Sequence, residues 1–460
     1  MSFSAKRALY EACPDFVKSA IGCVPFRLTA GPVYRKVLRE TLAYDRLSED
    51  ELSQLQSRLL GESLRYAVER VPFYRRQKSA VQKFPAEDAI KDFPTIDKDV
   101  VQERFEEFLA PDFEQRGHYE TSTGGTSGNQ LRILLDDDSH YRETAFIHSI
   151  WKRVGYSTSS KKATFRGQVI DVSENKFWRP NPIYRELQFS TFHLSPENID
   201  LYIQAINRYS PAFLHGYPSV LSTLAGHLNS SPNLTLTAKP KAVLLGSEAT
   251  FDGQREAIEA GFQCRAFSWY GHSERLILGS ECECDSSYHQ VPNYGWLEIL
   301  DGERSVEVGE SGELVGTTFW NRIMPLIRYR TGDHARRLER DCCCGRFHQR
   351  FDAVQGRWNQ EFLLGKSGAK VYSTALNMHG DAFARVHRYQ YVQSKAGEVT
   401  VRLMPAIGFS DRDLEGIRTA HENRIGHDFR MEFEVVENIE LSKRGKLKRI
   451  LQQLPAGQTS

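Results

Sequence analysis

From about residue 120 to 335, short apolar runs alternate with segments of helical periodicity, and this alternation limits the fold more than any other feature of the chain. The runs "LRILL", "KAVLLG", "GWLEIL" and "GELVGTTF" read as strands, and "DLYIQAINRY" and "DGQREAIEAGF" as helices. That order belongs to an α/β domain. Ahead of it, "SEDELSQLQSRLLGESLRYAVERV" sets Leu52, Leu55, Leu59 and Leu60 on one helical face, with Ser48 as its cap. Residues 1–85 therefore read as a helical lead-in. Near "QGRWNQEFLLGKSGAK" the texture turns to Gly, Lys and polar residues, as at a hinge. Beyond it, "VTVRLMPA", "SDRDLEGIRTAHENRIG" and "FRMEFEVVE" read as strand, helix, strand. The fold class is thus α/β: a large N-terminal domain over 1–355 and a small C-terminal α+β domain over 356–460.

A chain of 460 residues with 40% hydrophobic content exceeds one core and has ample material for two. Lys and Arg number 60 against 59 Asp and Glu, a balance of +1, which argues against a nucleic-acid binder that relies on broad phosphate neutralisation. No run approaches the roughly 18 apolar residues that a membrane span needs. The N-terminus "MSFSAKRALYEACPDF" carries charges and Pro where a signal peptide needs its apolar stretch, and "FVKSAIGCVPF" reads as a packed helix, so the expected location is cytoplasmic. Eight cysteines form no disulfide framework: Cys13, Cys23 and Cys264 stand alone, and five sit in two short knots.

The stretch "TSTGGTSGNQ", residues 121–130, is nearly all glycine and hydroxyl side chains. Glycines let successive N–H groups point into one concavity, and Ser and Thr hydroxyls rotate to suit an anion, so the run can cradle a phosphate or serve as a plain surface turn. It is no Walker loop, because Asn129 follows Gly128 where Lys is required. Four further segments bear on the choice. "GSEATF" follows the strand "KAVLL", where open α/β sheets place ligands. "WYGHSE" sets Trp269 and Tyr270 beside Glu274, an aromatic face and an oxygen ligand for Mg²⁺. "RYRTGD" ends in Asp333, suited to accept from ribose hydroxyls, and "KRGKLKR" brings Lys446 after Gly445.

In this order and spacing, and together with "AVERVPFYRR" and "HGYPSVL", these segments resemble the adenylate-forming enzymes, specifically the phenylacetate–CoA ligase family and its capsular-polysaccharide-biosynthesis relatives. The resemblance spans nearly the whole chain. It implies that Thr123, Gly124, Gly125, Thr126, Ser127 and Gly128 hold the ATP phosphates, and that Gly246, Ser247 and Glu248 flank adenine with Tyr270 and Gly271. It further assigns Ser273 to the α-phosphate, Glu274 to Mg²⁺, Asp333 to the ribose, Arg357 to the hinge and Lys446 to the mobile C-terminal lid. Lys443 or Lys448 can substitute for Lys446. Family members commonly end the phosphate loop in Lys-Pro or Thr-Pro, where this chain has Asn129-Gln130.

The implied reaction joins a small carboxylic acid to ATP as an acyl adenylate and passes the acyl group to a thiol such as CoA. The alternatives are transfer to an amine or sugar, and a nucleotide-binding protein of ligase fold that does not catalyse. His215, Gly216, Tyr217 and Pro218 match a segment bordering the carboxylate site, which suggests an aromatic or apolar acid. "ECECDSSYHQ" and "DCCCGRFHQ" offer Cys282 with His289 and Cys342 with Cys344, a Cys₃His composition suited to zinc. Similar arms in the family are associated with structural zinc; Cys284, Cys343 and His348 are alternates.

Overall fold

The computed structural model describes residues 9–10, 12–122, 131–168, 170, 176–231, 233–250, 253–352, 354, 362–373, 376, 383, 385–406, 408–439 and 449–454. Two helices dominate the lead-in, α1 (Gly31–Tyr44) and α2 (Glu49–Arg70). Ser48 caps α2 reciprocally: its hydroxyl accepts from the Glu51 amide, and the Glu51 carboxylate accepts from the Ser48 N–H at 2.9 Å. Leu52, Leu55 and Leu60 are buried and Leu59 is half-buried, so the expected apolar face is the one that packs.

The chain then forms an antiparallel pair, β1 (His118–Ser122) with β2 (Arg132–Asp136), followed by helix α3 (Ser139–Trp151). Next come β3 (Lys162–Phe165), β4 (Trp178–Asn181), β5 (Glu186–Phe189), α4 (Ile199–Tyr209), β6 (Phe213–Gly216), α5 (Pro218–Ser230), β7 (Ala242–Leu245), α6 (Gln254–Phe262) and β8 (Arg265–Gly271). Strands β5, β3, β6, β7 and β8 lie side by side and parallel, with β4 antiparallel on the edge. Helices cover both faces, as buried parallel strands require. One core joins the sheet to α4, α5 and α6; another joins it to α1 and α3.

After β8 the alternation ends. Strands β9 (Leu278–Ser280), β10 (Tyr288–Gln290), β11 (Gly295–Asp301), β12 (Arg304–Ser305), β13 (Ser311–Thr318), β14 (Tyr329–Leu338) and β15 (Arg350–Phe351) extend the same sheet antiparallel, to thirteen strands. "GWLEIL" and "GELVGTTF" are strands β11 and β13, but they pair directly with each other. The connection between them is too short for a parallel crossover, which takes a dozen or more residues.

The C-terminal part holds a hairpin, β16 (Phe362–Leu364) with β17 (Lys370–Tyr372), then β18 (Val386–Lys395), β19 (Glu398–Pro405), α7 (Asp411–Ile425), β20 (Arg430–Val435) and β21 (Ile450–Gln452). The last four strands form their own sheet, ordered β20-β19-β18-β21. The strand, helix, strand reading is realised in β19, α7 and β20. The expected domain division, between 355 and 356, falls within residues 355–361, which lie outside the described residues. Where this part meets the large sheet's helices, the rings of His193 and His427 stack at 3.7 Å. No helix among the described residues is long and apolar enough to cross a membrane.

Candidate active site

A cleft of roughly 1760 Å³ opens above the C-terminal ends of β3, β6, β7 and β8, the usual ligand position in an open α/β sheet. Strand periodicity sends neighbouring aromatic residues of β8 to different sides. Trp269 lies toward α3, with its ring centroid 5.5 Å from Trp151 and 5.6 Å from His215. Tyr270 turns toward β14, where its hydroxyl donates to Asp333 Oδ2 at 3.0 Å. Burial and the Asp333 carboxylate hold the Tyr270 phenol well above its ordinary pKa, so it stays a donor.

Asp333 reaches the cleft because β14 bulges. Register passes from Glu313 opposite His334 to Val315 opposite Arg330, leaving "TGD" looped out between them. Gly332 sits at φ +73° and donates its N–H to Glu313 Oε1 at 2.8 Å, while Thr331 Oγ1 donates to the Leu314 carbonyl at 2.7 Å. The turn after β8 carries Glu274. Ile277 N–H donates to His272 Nε2 at 3.2 Å, which assigns the ring proton to Nδ1, and Nδ1 donates to Glu274 Oε2 at 3.0 Å. Burial alone would raise the Glu274 carboxyl; the His272 hydrogen bond, with smaller help from Tyr329, brings it below its ordinary value. An ionised carboxylate results, which suits a hard divalent cation.

The segment after β7 completes this side. A Cβ on Gly246 would stand 2.5 Å from Trp269 Cζ2, so only glycine lets the indole cross the strand end. Ser247 adopts a left-handed φ of +69° and accepts from Arg166 Nη2 at 2.7 Å. Glu248 accepts the Ser219 N–H at 3.0 Å, which ties this segment to the start of α5. Gly271 and Ser273 also line the cleft.

His215 lines the cleft on the α3 side, Tyr217 lines it while packing in the core shared with α4, α5 and α6, and Pro218 is the first residue of α5 after Gly216 ends β6. Thr121 lines the cleft as well, and Ser122 pairs with Arg132. Thr123, Gly124, Gly125, Thr126, Ser127, Gly128, Arg357, Lys443, Lys446 and Lys448 lie outside the described residues. Arg166 and His272 were not singled out from sequence. His272 stands inside the "YGHSE" segment, but its role depends on an amide five residues on.

The cysteine knots meet. Donor atoms of Cys282, His289, Cys342 and Cys344 all lie within 4.8 Å of one another. Cys282 Sγ is 3.6 Å from Cys342 Sγ, and Cys344 Sγ is 3.9 Å from His289 Nε2. A tetrahedral zinc with Zn–S of about 2.3 Å requires S···S edges of about 3.8 Å, so the set fits that ion. Cys284 and Asp285 donate backbone N–H groups to Cys282 Sγ at 3.4 and 3.3 Å. Burial pushes the Cys282 thiol up to about 12, so ionising it calls for a cation between the sulfurs. The alternates Cys284 and Cys343 are exposed. Beside the knot, Arg346 bridges Glu283 and Asp45 at 2.6 Å each, and Arg153 reaches the same Asp45 at 2.9 Å, joining the knot to α1 and α3.

The family model described as the CapK C-terminal domain matches residues 363–453. Protein CapK of Staphylococcus aureus is 24% identical over 86% of this chain and 88% of its own length. A phenylacetate–coenzyme A ligase of Thermus thermophilus is also 24% identical, over 88% of this chain and 97% of its own. The solved structure of a 2-hydroxyisobutyryl-CoA ligase in complex with 2-HIB-AMP and CoA shares the fold, with a TM-score of 0.56 at 18% identity over 89% of this chain and 91% of that one. Along most of its length the chain is thus similar in sequence to Protein CapK and the phenylacetate–CoA ligases, and it shares the acyl-CoA ligase fold.

Proposed function

We propose that the chain activates a small carboxylic acid with ATP and transfers the acyl group to a thiol, with CoA as acceptor. The observation that supports this most is the gathering of Glu274, Asp333, Ser247 and Glu248 around one cleft, with Tyr270 holding the Asp333 carboxylate. A carboxylate oxygen of the acid attacks the α-phosphorus and pyrophosphate leaves; the thiolate then attacks the acyl carbonyl and AMP leaves. The first step drives an anion toward a polyanion and needs preorganised positive charge. Amides of residues 123–128 and the ammonium of Lys446 supply it, and Ser273 faces the α-phosphate. Glu274 would hold Mg²⁺, which when bound neutralises the phosphate oxygens. Asp333 accepts from the ribose, and Gly246, Ser247, Glu248 and Gly271 border adenine.

In this reading residues 356–460 form a mobile lid hinged at Arg357, so that Lys446 attends adenylation and then withdraws. Zinc on Cys282, His289, Cys342 and Cys344 is structural, because four protein ligands leave no open position. ATP and CoA supply the reaction in the cytoplasm. Transfer to an amine or sugar is the second reading, and the likeness to CapK favours it. ATP–pyrophosphate exchange across a panel of acids, followed by trapping with CoA or hydroxylamine, tests both readings. Absence of exchange with every acid refutes adenylation; trapping by hydroxylamine without turnover of CoA favours the amine or sugar.

A further inference from the structure

The α3-facing side of the sheet has a floor that the sequence does not advertise. Along β3, β5 and β6 the polar residues of this face are Lys162 and Thr164, Glu186 and Gln188, and His215, beside Phe213, while Ala163, Phe165, Leu187, Phe189 and Leu214 turn into the opposite core. All five polar residues line the cleft, and each is more than nine-tenths buried. Glu186 accepts from Lys162 at 2.8 Å, Thr164 at 3.0 Å, Gln188 at 2.7 Å and Asn181 at 2.9 Å. Gln188 Oε1 accepts in turn from Arg179 at 2.9 Å. The charges cancel within the floor and its hydrogen bonds are made.

His215 is different. Its ring lies between Trp151, at 4.9 Å, and Trp269, and neither ring nitrogen has a hydrogen-bond partner among the described residues. Burial, with help from Arg166 and Lys162, holds its pKa well below the ordinary histidine value, so the imidazole is neutral and offers one donor and one acceptor. Buried polar atoms are nearly always paired, and a pair of unmatched ring nitrogens facing a cleft marks a place for a ligand group. Strand direction says which ligand. Nucleotide-side residues sit at the C-terminal ends of β7 and β8, whereas the floor runs back from His215 through Thr164 and Gln188 to the Lys162–Glu186 pair. An acid joined to AMP at the strand ends lays its acyl part along that floor.

We propose that the acid activated here carries a hydroxyl on its acyl part, received by His215 above the Thr164, Gln188 and Lys162–Glu186 floor, and that the unsubstituted aryl or alkyl acid is a poor substrate. This rests on the adenylation reading above. A hydroxyl donates and accepts, as the neutral imidazole does; an apolar acid would cover the ring and leave both nitrogens unmatched.

The test is ATP–pyrophosphate exchange with the full-length protein and acids that differ by one hydroxyl. Butyrate is compared with 2-, 3- and 4-hydroxybutyrate, and phenylacetate with mandelate and the hydroxyphenylacetates. The expected result is that a hydroxylated acid exceeds its parent by about 10- to 100-fold in kcat/KM. His215→Phe should bring the hydroxylated-to-parent ratio of kcat/KM down toward one, and His215→Asn, which keeps a donor and an acceptor, should retain part of it. Parents that equal or exceed their hydroxylated partners overturn the hydroxyl proposal and leave adenylation standing. Exchange with no acid overturns adenylation and this proposal together. The wild-type ratio decides even if the variants do not fold.

Discussion

Replacing Gly246 by Ala sets a test whose size follows from the coordinates. The added Cβ would lie 2.5 Å from Trp269 Cζ2 and 2.8 Å from Cε2 and Cη2. Carbon atoms are comfortable at about 3.5–4.0 Å, so the indole must retreat by about 1 Å. It has little room to do so, because Trp151 and His215 stand against it. Overpacking of this kind costs about 1–3 kcal/mol. At about 2–4 °C per kcal/mol for a unit of moderate size, the melting temperature should fall by several degrees. Gly271 is the internal control. Its nearest neighbour would be Leu278 Cδ1 at 3.5 Å, an ordinary contact, so Gly271→Ala should melt with the wild type in the absence of nucleotide. Scanning calorimetry or a thermal-shift assay on both variants measures the difference. If Gly246→Ala melts within a degree of Gly271→Ala, the claim that Trp269 is wedged across β7 fails.

Tyr270→Phe keeps the ring and deletes the hydrogen bond to Asp333; at roughly 1.5 kcal/mol for a bond to a charged group, KM for ATP should rise about tenfold with a smaller change in kcat, measured by exchange kinetics. Lys446→Ala should cut adenylation by about 10² to 10³ while leaving nucleotide binding, by calorimetry, largely intact. Metal analysis of protein purified without chelator should return one zinc per chain, lost in Cys342→Ser and kept in Cys343→Ser. His421 is buried against Tyr391, and burial takes its pKa down to about 4; burial takes that of His148, bonded to Tyr34, to about 3. Both are neutral in the folded chain and protonate below about 6.5 when unfolded, so the unfolded state binds more protons there. Stability should therefore fall as pH drops from about 6.5 toward 4, as read by denaturation midpoints at fixed ionic strength.

The elements that the sequence made legible are those whose signal is local. The α2 capping box, the apolar run of β7 and the strand, helix, strand of the C-terminal part each carry their evidence within a dozen residues. Glu274 and Asp333, which line one cleft, and the clustered Cys282, His289, Cys342 and Cys344 could be singled out in the sequence, because each sits in a short segment with a distinctive neighbourhood. The polar floor was not. "KATF" and "ELQF" alternate as any half-exposed strand does, and only the side-by-side pairing of β3 and β5 turns their polar halves into a buried lining. The β14 bulge was equally hidden: "RTGD" reads as a turn, and what aims Asp333 inward is the Glu313 carboxylate on a neighbouring strand. The antiparallel half of the sheet escaped because an apolar run shows that a strand exists without showing its direction.

The divergence of Trp269 and Tyr270 on β8 separates two kinds of inheritance. Under the proposed function the tryptophan side meets the acid, and substitutions there would change which acid is taken, while the tyrosine side keeps its hold on Asp333. A lineage built on this sheet would then be free to drift in what it consumes and bound in how it is powered.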